Sequence, residues 1–148
     1  MFHKILLGAL FFSSTFAFLT PQNGLDINCW TGESTKSLST IHSNIKFVGI
    51  DKHERVIDVA IKRYPLDYFA NIDIESDGLP VIGFFDIVRI SRYDNLKNML
   101  ENVWTIVRKG GVITIIYKKE DIDHLNDFLE KNQWEYYYFD EIKMTIMK

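Results

Sequence analysis

Acidic side chains that follow short apolar runs are the residues of this chain best suited to bind a ligand. Asp51 ends the run IKFVGID, and Asp73 follows the run YFANI. A fixed carboxylate at the end of a buried strand can accept hydrogen bonds from both hydroxyls of a ribose. Asp51 lies 25 residues after Asp26, about one strand-helix-strand unit. Two alternatives stay open, because Asp51 also suits a helix cap before His53 and Asp73 suits an ordinary loop.

The segment GLDINCWTGEST, Gly24 to Thr35, has the order of a strand that enters a ligand-binding turn. Such turns need residues that tolerate a left-handed backbone, which Gly32 does freely and Asn28 does better than most residues. Trp30 is the unexpected member, because its indole must point somewhere. An inward indole would fill part of a pocket, and an outward one would border it.

Alternating strands and helices must position these side chains. Apolar patterns and breakers predict the strands 24–28, 45–51, 68–72, 84–90 and 112–117, and the helices 32–42, 53–64, 94–108 and 120–132. Thr31 is predicted to cap the first helix, and Gly110 with Gly111 to end the third. The final runs WEYYYFD and EIKMTIMK have too short a link for a parallel crossover, so they predict a hairpin that turns near Asp140 and Glu141.

This order predicts an α/β domain with a doubly wound, mostly parallel, Rossmann-like sheet that ends in an antiparallel β-hairpin. Helix periodicity predicts the inward-facing residues. They are Leu38 and Ile41 in the first helix, Val56, Val59, Ala60 and Tyr64 in the second, Leu96, Met99, Leu100, Val103, Ile106 and Val107 in the third, and Ile122, Leu125, Phe128 and Leu129 in the fourth.

Composition excludes several classes of site. The net charge is −3 and there is no long basic run, so no nucleic-acid surface is indicated. Cys29 is the only cysteine, and the four histidines show no ligand spacing, so neither a disulfide nor a metal site is expected. No membrane segment is expected beyond the N-terminal leader, and the oligomeric state is not predicted.

Residues 1–19 form that leader, and residues 24–148 are expected to form the folded domain. The leader has one lysine near its start and no acidic residue, and Ile5 to Leu19 is a largely apolar run of 15 residues. This order is typical of a signal peptide, with a cleavage site at Thr15-Phe16-Ala17. Secretion or organelle targeting, plastids included, is then expected. A buried N-terminal helix in a cytoplasmic protein and an uncleaved anchor are the alternatives.

Taken in order, LDINCWTGEST, FVGID, NIDIESDGLP, FFDIV and WTIVRKGGVITII resemble the class I S-adenosylmethionine-dependent methyltransferases. The resemblance implies cofactor contacts at six residues, of which Asp26 matches the acid of the first motif. Asn28, Trp30 and Gly32 fall on its three glycines, Asp51 matches the ribose acid, and Asp73 matches the acid near adenine. The resemblance covers Gly24 to Lys148 and departs from the family most clearly at Trp30.

The resemblance implies a methyltransferase that uses S-adenosylmethionine and acts on a small-molecule substrate. It places substrate contacts at Arg92, Tyr93 and Asp94, although Asp94 also suits a helix cap. It identifies no catalytic base, and many methyl transfers depend mainly on positioning. The alternative is a non-catalytic domain that keeps the fold and has lost cofactor binding. A nicotinamide-dependent dehydrogenase is disfavoured by the missing G-x-G-x-x-G and by the terminal hairpin.

Overall fold

The computed structural model describes residues 22–132, the backbone of residues 135–139, and residues 143–148. They build one seven-stranded sheet in the order β3-β2-β1-β4-β5-β7-β6. The strands are β1 Gln22–Ile27, β2 Ile45–Asp51, β3 Tyr68–Asn71, β4 Phe85–Ile90, β5 Val107–Ile116, β6 Glu135–Phe139 and β7 Lys143–Met147. Strands β1 to β5 run parallel, whereas β7 pairs antiparallel with both β5 and β6. The predicted fold class is confirmed.

Five α-helices connect these strands. They are α1 Glu33–Ile41, α2 Glu54–Arg63, α3 Ile74–Asp77, α4 Leu96–Ile106 and α5 Ile122–Asn132. α1 and α2 pack on β2 and β3, and the main core lies between α4, α5 and the opposite face of the sheet. Gly49 of β2 permits the close approach of α1, because a Cβ there would lie 2.5 Å from Thr35 Oγ1.

The apolar period of α4 forms the centre of the core. Leu96, Met99, Leu100, Val103 and Ile106 are all buried, as their spacing predicts. α5 adds Leu125 and Leu129, with Ile122 and Phe128 partly buried against the same cluster. The prediction is wrong in α1, where Ile41 is 70% exposed, and in α2, where Val59 is exposed and Ile57 is buried instead.

The third predicted helix extends too far toward the C-terminus. α4 ends at Ile106, and Val107 already pairs with Phe85 as the first residue of β5. The chain therefore passes from helix to strand without a loop. The backbone N–H groups of Gly83 and Phe84 donate to the carbonyls of Thr105 and Ile106 at this junction. Gly110 and Gly111 therefore lie within β5, beside an irregularity of the β4–β5 pairing, and do not end the helix.

The predicted cap of α1 is also wrong. Gly32 is the N-cap residue and makes no side-chain cap, while the Thr31 hydroxyl donates to the Glu33 carboxylate. Asn95, and not Asp94, caps α4 by accepting a hydrogen bond from the Asn98 N–H. Asp51 does not cap α2 in the usual way, because His53 is the N-cap residue.

One row of side chains crosses the sheet on the face that carries α1. Asp26 pairs in register with Gly49 and Arg89, Arg89 pairs with Thr114, and Thr114 pairs with Thr145. Alternate residues point to opposite faces of a sheet, so the flanking Ile113 and Ile115 enter the core under α4 and α5. The row places the fully buried carboxylate of Asp26 beside the partly buried guanidinium of Arg89 on this face of the sheet.

Two predictions lie outside the described residues, namely the leader at 1–19 and the hairpin turn near Asp140 and Glu141. In the part of the chain that the structure describes, no helix is long and apolar enough to cross a membrane.

Candidate functional site

The order of the strands reverses at β1, because β2 lies on one side of it and β4 on the other. Ligands of open α/β sheets bind beyond the carboxyl ends of the strands at such a switch point. A cavity of about 230 Å³ lies there, and it is lined by Asn28, Asp51 and Asp73 together with Arg92, Tyr93 and Asp94. The structure thus brings together residues at or just beyond the carboxyl ends of four different strands.

The loop after β1 has the backbone that its sequence resemblance implies. Asn28, Trp30 and Gly32 have φ angles of 58°, 54° and 93°, so all three lie in the left-handed region. This region is strained for a bulky residue such as Trp30. Hydrogen bonds from the Cys29 N–H to the Ile50 carbonyl and from the Gly32 N–H to the Cys29 carbonyl fix the turn.

The Trp30 side chain points outward and borders the cavity without lining it. Its residue is 47% exposed, and the Arg92 guanidinium lies 4.8 Å from the centre of the indole. The His53 ring approaches the indole edge-on, with 6.3 Å between the ring centroids. Asn28 reinforces this arrangement, because its side-chain amide donates to the Arg92 carbonyl. The indole therefore leaves the cavity unfilled.

Asp26 lies beneath the loop and away from the cavity. It is fully buried, and its carboxylate accepts hydrogen bonds from the hydroxyls of Ser34 (2.5 Å) and Thr35 (2.8 Å). Arg89 of β4 completes the set, with its Nη1 3.1 Å from Asp26 Oδ1. Asp26 thus joins β1 to the first turn of α1 and to β4. The sequence contained these partners, but no spacing rule linked them to Asp26.

Asp51 is buried at the floor of the cavity and already accepts three hydrogen bonds. Trp30 N–H donates to Oδ2 over 3.1 Å. His53 donates its backbone N–H to Oδ1 over 3.0 Å, and its ring Nδ1 lies 2.8 Å from the same oxygen. A carboxylate has about four lone-pair positions, so Asp51 keeps roughly one of them open, at Oδ2.

Asp73 lines the same cavity and begins the single turn of α3. Its carboxylate accepts a hydrogen bond from the Ser76 N–H at 3.2 Å. The loop after Asp73 thus holds a short helix that the sequence did not predict. Glu75 of that helix accepts hydrogen bonds from the backbone N–H groups of Asp94 and Asn95, and so ties α3 to the end of β4.

Ionisable side chains make two contacts at the rim of the cavity beyond β4, namely the Tyr93–Asp121 hydrogen bond and the Lys52–Asp94 ion pair. The Tyr93 hydroxyl donates to Asp121 over 2.8 Å and accepts from the Lys118 N–H over 2.9 Å, and burial raises the pKa of Tyr93 to about 12. Lys52 and Asp94 form an ion pair across the cavity mouth. Their hydrogen bond raises the pKa of Lys52 and lowers the pKa of Asp94. No sequence signal pointed to Lys52, because a lysine after a strand usually only faces solvent.

Within the described ranges, neither the Cys29 thiol nor a metal-binding cluster adds chemistry to this site. Burial is the main cause that raises the pKa of the Cys29 thiol to about 12, so the thiol is neutral and a poor nucleophile. Among the described residues, no group of three or more His, Cys, Asp or Glu side chains could hold a metal ion. A larger cavity of about 630 Å³ lies between α4 and α5, but of the residues predicted for the site only Asp94 reaches it.

Sequence comparisons give a curated relative and no family model. No protein-family model matches the chain. A protein of Invertebrate iridescent virus 6 named "Putative methyltransferase 235L" is 23% identical over 119 residues, which are 77% of this chain. The chain spans 45% of the length of that curated relative.

Solved structures give the same fold. A "putative" S-adenosyl-L-methionine-dependent methyltransferase of Methanococcus maripaludis is 14% identical with a TM-score of 0.71, over 95% of this chain and 83% of the other. A TehB-like methyltransferase of Corynebacterium glutamicum is 15% identical with a TM-score of 0.66, over 92% and 86%. The plantazolicin methyltransferase BpumL, solved with SAH, is 24% identical with a TM-score of 0.58, over 77% and 46%. The chain therefore has the fold of the class I S-adenosylmethionine-dependent methyltransferases.

Proposed function

We propose that this domain binds S-adenosylmethionine and transfers its methyl group to a small-molecule acceptor. The observation that carries the proposal is the loop after β1, where Asn28, Trp30 and Gly32 all keep a left-handed backbone. Two of these residues are not glycine. A left-handed backbone costs most L-amino acids about 1–2 kcal/mol of conformational energy, and it costs asparagine less, so this turn lowers the stability of the loop. A loop kept at that cost beside a cavity favours a working ligand site.

The side chains around the cavity fit the parts of this cofactor in their chemistry. Asp51 has an open acceptor position at Oδ2 for a ribose hydroxyl. Asp73 lines the cavity and supplies a carboxylate for an adenine amino group. Asp26 holds the loop through Ser34, Thr35 and Arg89 and is a positioning residue.

When bound, S-adenosylmethionine supplies a methyl group on a positively charged sulfonium. The protein's own contribution is then to hold an acceptor at the rim formed by Arg92, Tyr93 and Asp94. Tyr93 is fixed by its bonds to Asp121 and Lys118, so it shapes the rim and keeps its proton at neutral pH. Positioning of this kind supplies much of the rate in reactions that need no strong base.

The test is calorimetric titration of the full chain with S-adenosylmethionine and with S-adenosylhomocysteine. We expect binding in the micromolar range, and about tenfold to hundredfold weaker binding for Asp51→Asn, since one charged hydrogen bond is worth roughly 1.5–3 kcal/mol. Asp86→Asn is the matched control, because Asp86 pairs with Arg108 and does not line the cavity. Absence of binding would favour the non-catalytic alternative.

We also propose that residues 1–19 act as a targeting signal, on the basis of their apolar run and the absence of acidic residues. The test is to express the full chain with a C-terminal fluorescent tag in a eukaryotic cell. Export or organelle import, with loss of the leader detected by mass spectrometry, supports targeting. An intact N-terminus and diffuse cytoplasmic fluorescence would contradict it.

A further inference from the structure

The cavity at the switch point is smaller than the cofactor requires. Its volume is about 230 Å³, whereas pockets that bury drug-sized ligands usually measure roughly 300–1,000 Å³. A nucleoside joined to an amino acid belongs to that size class. The described side-chain positions therefore leave less room than the cofactor needs, and some of these side chains must move when it binds.

Lys52 is the first of these side chains. It follows the last residue of β2, and its ammonium pairs with the carboxylate of Asp94, which follows β4. β1 lies between β2 and β4, so this ion pair spans the cavity mouth above the β1 loop. Lys52 and Asp94 both line the cavity, and both side chains are more than one-third exposed. The ion pair closes the mouth. Because both side chains are exposed, water and salt ions compete for its charges.

His53 is the second. Its ring Nδ1 lies 2.8 Å from Asp51 Oδ1, which also accepts the His53 N–H. Oδ1 then has both lone pairs engaged, and Oδ2 already accepts the Trp30 N–H. A ribose diol offers two hydroxyls, but the carboxylate has about one open position. The imidazole therefore occupies a position that the second hydroxyl would use.

Lys52 and His53 are consecutive residues of one turn. His53 is the N-cap of α2 but makes no side-chain hydrogen bond to that helix, so its ring can leave Asp51 without uncapping α2. We propose that Lys52 and His53 form a latch that holds the cofactor cavity closed, and that S-adenosylmethionine must displace both side chains to bind. The proposal rests on the proposed function and makes these residues determinants of cofactor affinity.

The experiment measures S-adenosylhomocysteine binding to the full chain by calorimetry and by stopped-flow fluorescence. Variants are Lys52→Met, His53→Ala, both together, and Asp94→Asn, which removes the same ion pair from its other end. Lys36→Met is the matched control, because it removes an ion pair with Asp67 outside the cavity. Circular dichroism spectra and thermal midpoints identify variants that fold like the wild type.

We expect up to about fivefold tighter binding for Lys52→Met and for Asp94→Asn, because exposed ion pairs contribute roughly 0.2–1 kcal/mol. His53→Ala should give a similar gain, and the double variant about tenfold or more. Association should become faster in each variant and unchanged in Lys36→Met. Added salt should speed association with the wild type and have little effect on Lys52→Met, because salt screens an exposed ion pair.

The outcomes separate the latch from the proposed function. Tighter and faster binding by the variants supports the latch. Binding by the variants alone also supports the latch, but it contradicts cofactor binding by the natural chain and so overturns the proposed function. If the wild type binds and the folded variants bind equally or more weakly, the latch is overturned and the cofactor site stands. If neither the wild type nor any variant binds, the proposed function is overturned.

Discussion

The left-handed backbone at Trp30 gives a prediction that two substitutions can isolate. Trp30→Gly and Trp30→Ala remove the same indole and the same contact with Arg92. They differ in the backbone, because glycine adopts a φ of 54° freely and alanine does not. The difference in stability between the two variants therefore reports on the strain of the loop, reduced by the extra chain entropy that glycine loses on folding.

The magnitudes follow from the exposure of the indole. A tryptophan buries about 150–250 Å², and Trp30 is 47% exposed, so roughly 100 Å² is lost on truncation. At about 25 cal/mol per Å², both variants lose up to about 2.5 kcal/mol, with about 0.5–1 kcal/mol more for the exposed Arg92 contact. Compared with Trp30→Ala, Trp30→Gly gains about 1–2 kcal/mol of folding stability because glycine relieves the backbone strain. It loses about 0.5–1 kcal/mol because the unfolded chain with glycine has more conformational entropy.

Trp30→Gly should accordingly be more stable than Trp30→Ala by about 1 kcal/mol. The assay is equilibrium unfolding in urea, followed by circular dichroism and by the fluorescence of the remaining Trp104 and Trp134. Leu66 supplies the control, because it is 90% exposed and has no positive φ. Leu66→Gly should therefore be less stable than Leu66→Ala. Equal stability of the two Trp30 variants, or a more stable alanine, would refute the strained loop.

Three further predictions concern buried polar groups. Asp26→Ala should lower the free energy of unfolding in urea by about 3 kcal/mol, since it leaves Arg89 without its carboxylate, and adding Arg89→Met should recover part of that loss. The folded pKa of Tyr93, about 12, exceeds its unfolded value of about 10, so stability should fall between pH 10 and 12 by about 2 kcal/mol; thermal unfolding of Tyr93→Phe should lack that part of the fall. Cys29 should react with iodoacetamide at pH 8 only after unfolding, as mass spectrometry can show, and rapid labelling of the native protein would contradict its burial.

The fold could be predicted from the sequence because its signals are local and mutually consistent. The buried face of α4 follows from a regular apolar period that starts at Leu96, and β5 follows from the apolar run VITIIY. The end of α4 could not be predicted in the same way. Val107 continues the helical period, but its pairing with Phe85 in the sheet decides its conformation, and that contact is not local.

The site could be predicted in part, because the carboxyl ends of adjacent parallel strands must lie together. Asn28, Asp51 and Asp73 meet at one cavity for that reason. Asp26 belongs to the same sequence motif but points into the α1 face of the sheet. The His53 contact with Asp51 had no signal, since a histidine two residues after an acid is common and its rotamer depends on the surrounding side chains.

The row that joins Gly49, Asp26, Arg89 and Thr114 fixes the alignment of β1 with β4. A slip of one residue would turn Arg89 toward the apolar core and leave Asp26 without its cation. Asp26 thus favours this alignment of the sheet, whether or not a cofactor ever binds. Selection for folding alone would preserve it in a descendant with no enzymatic role. In this chain, the first acid of the motif reports on the sheet, and evidence of activity must come from Asp51 and from the loop that contains Trp30.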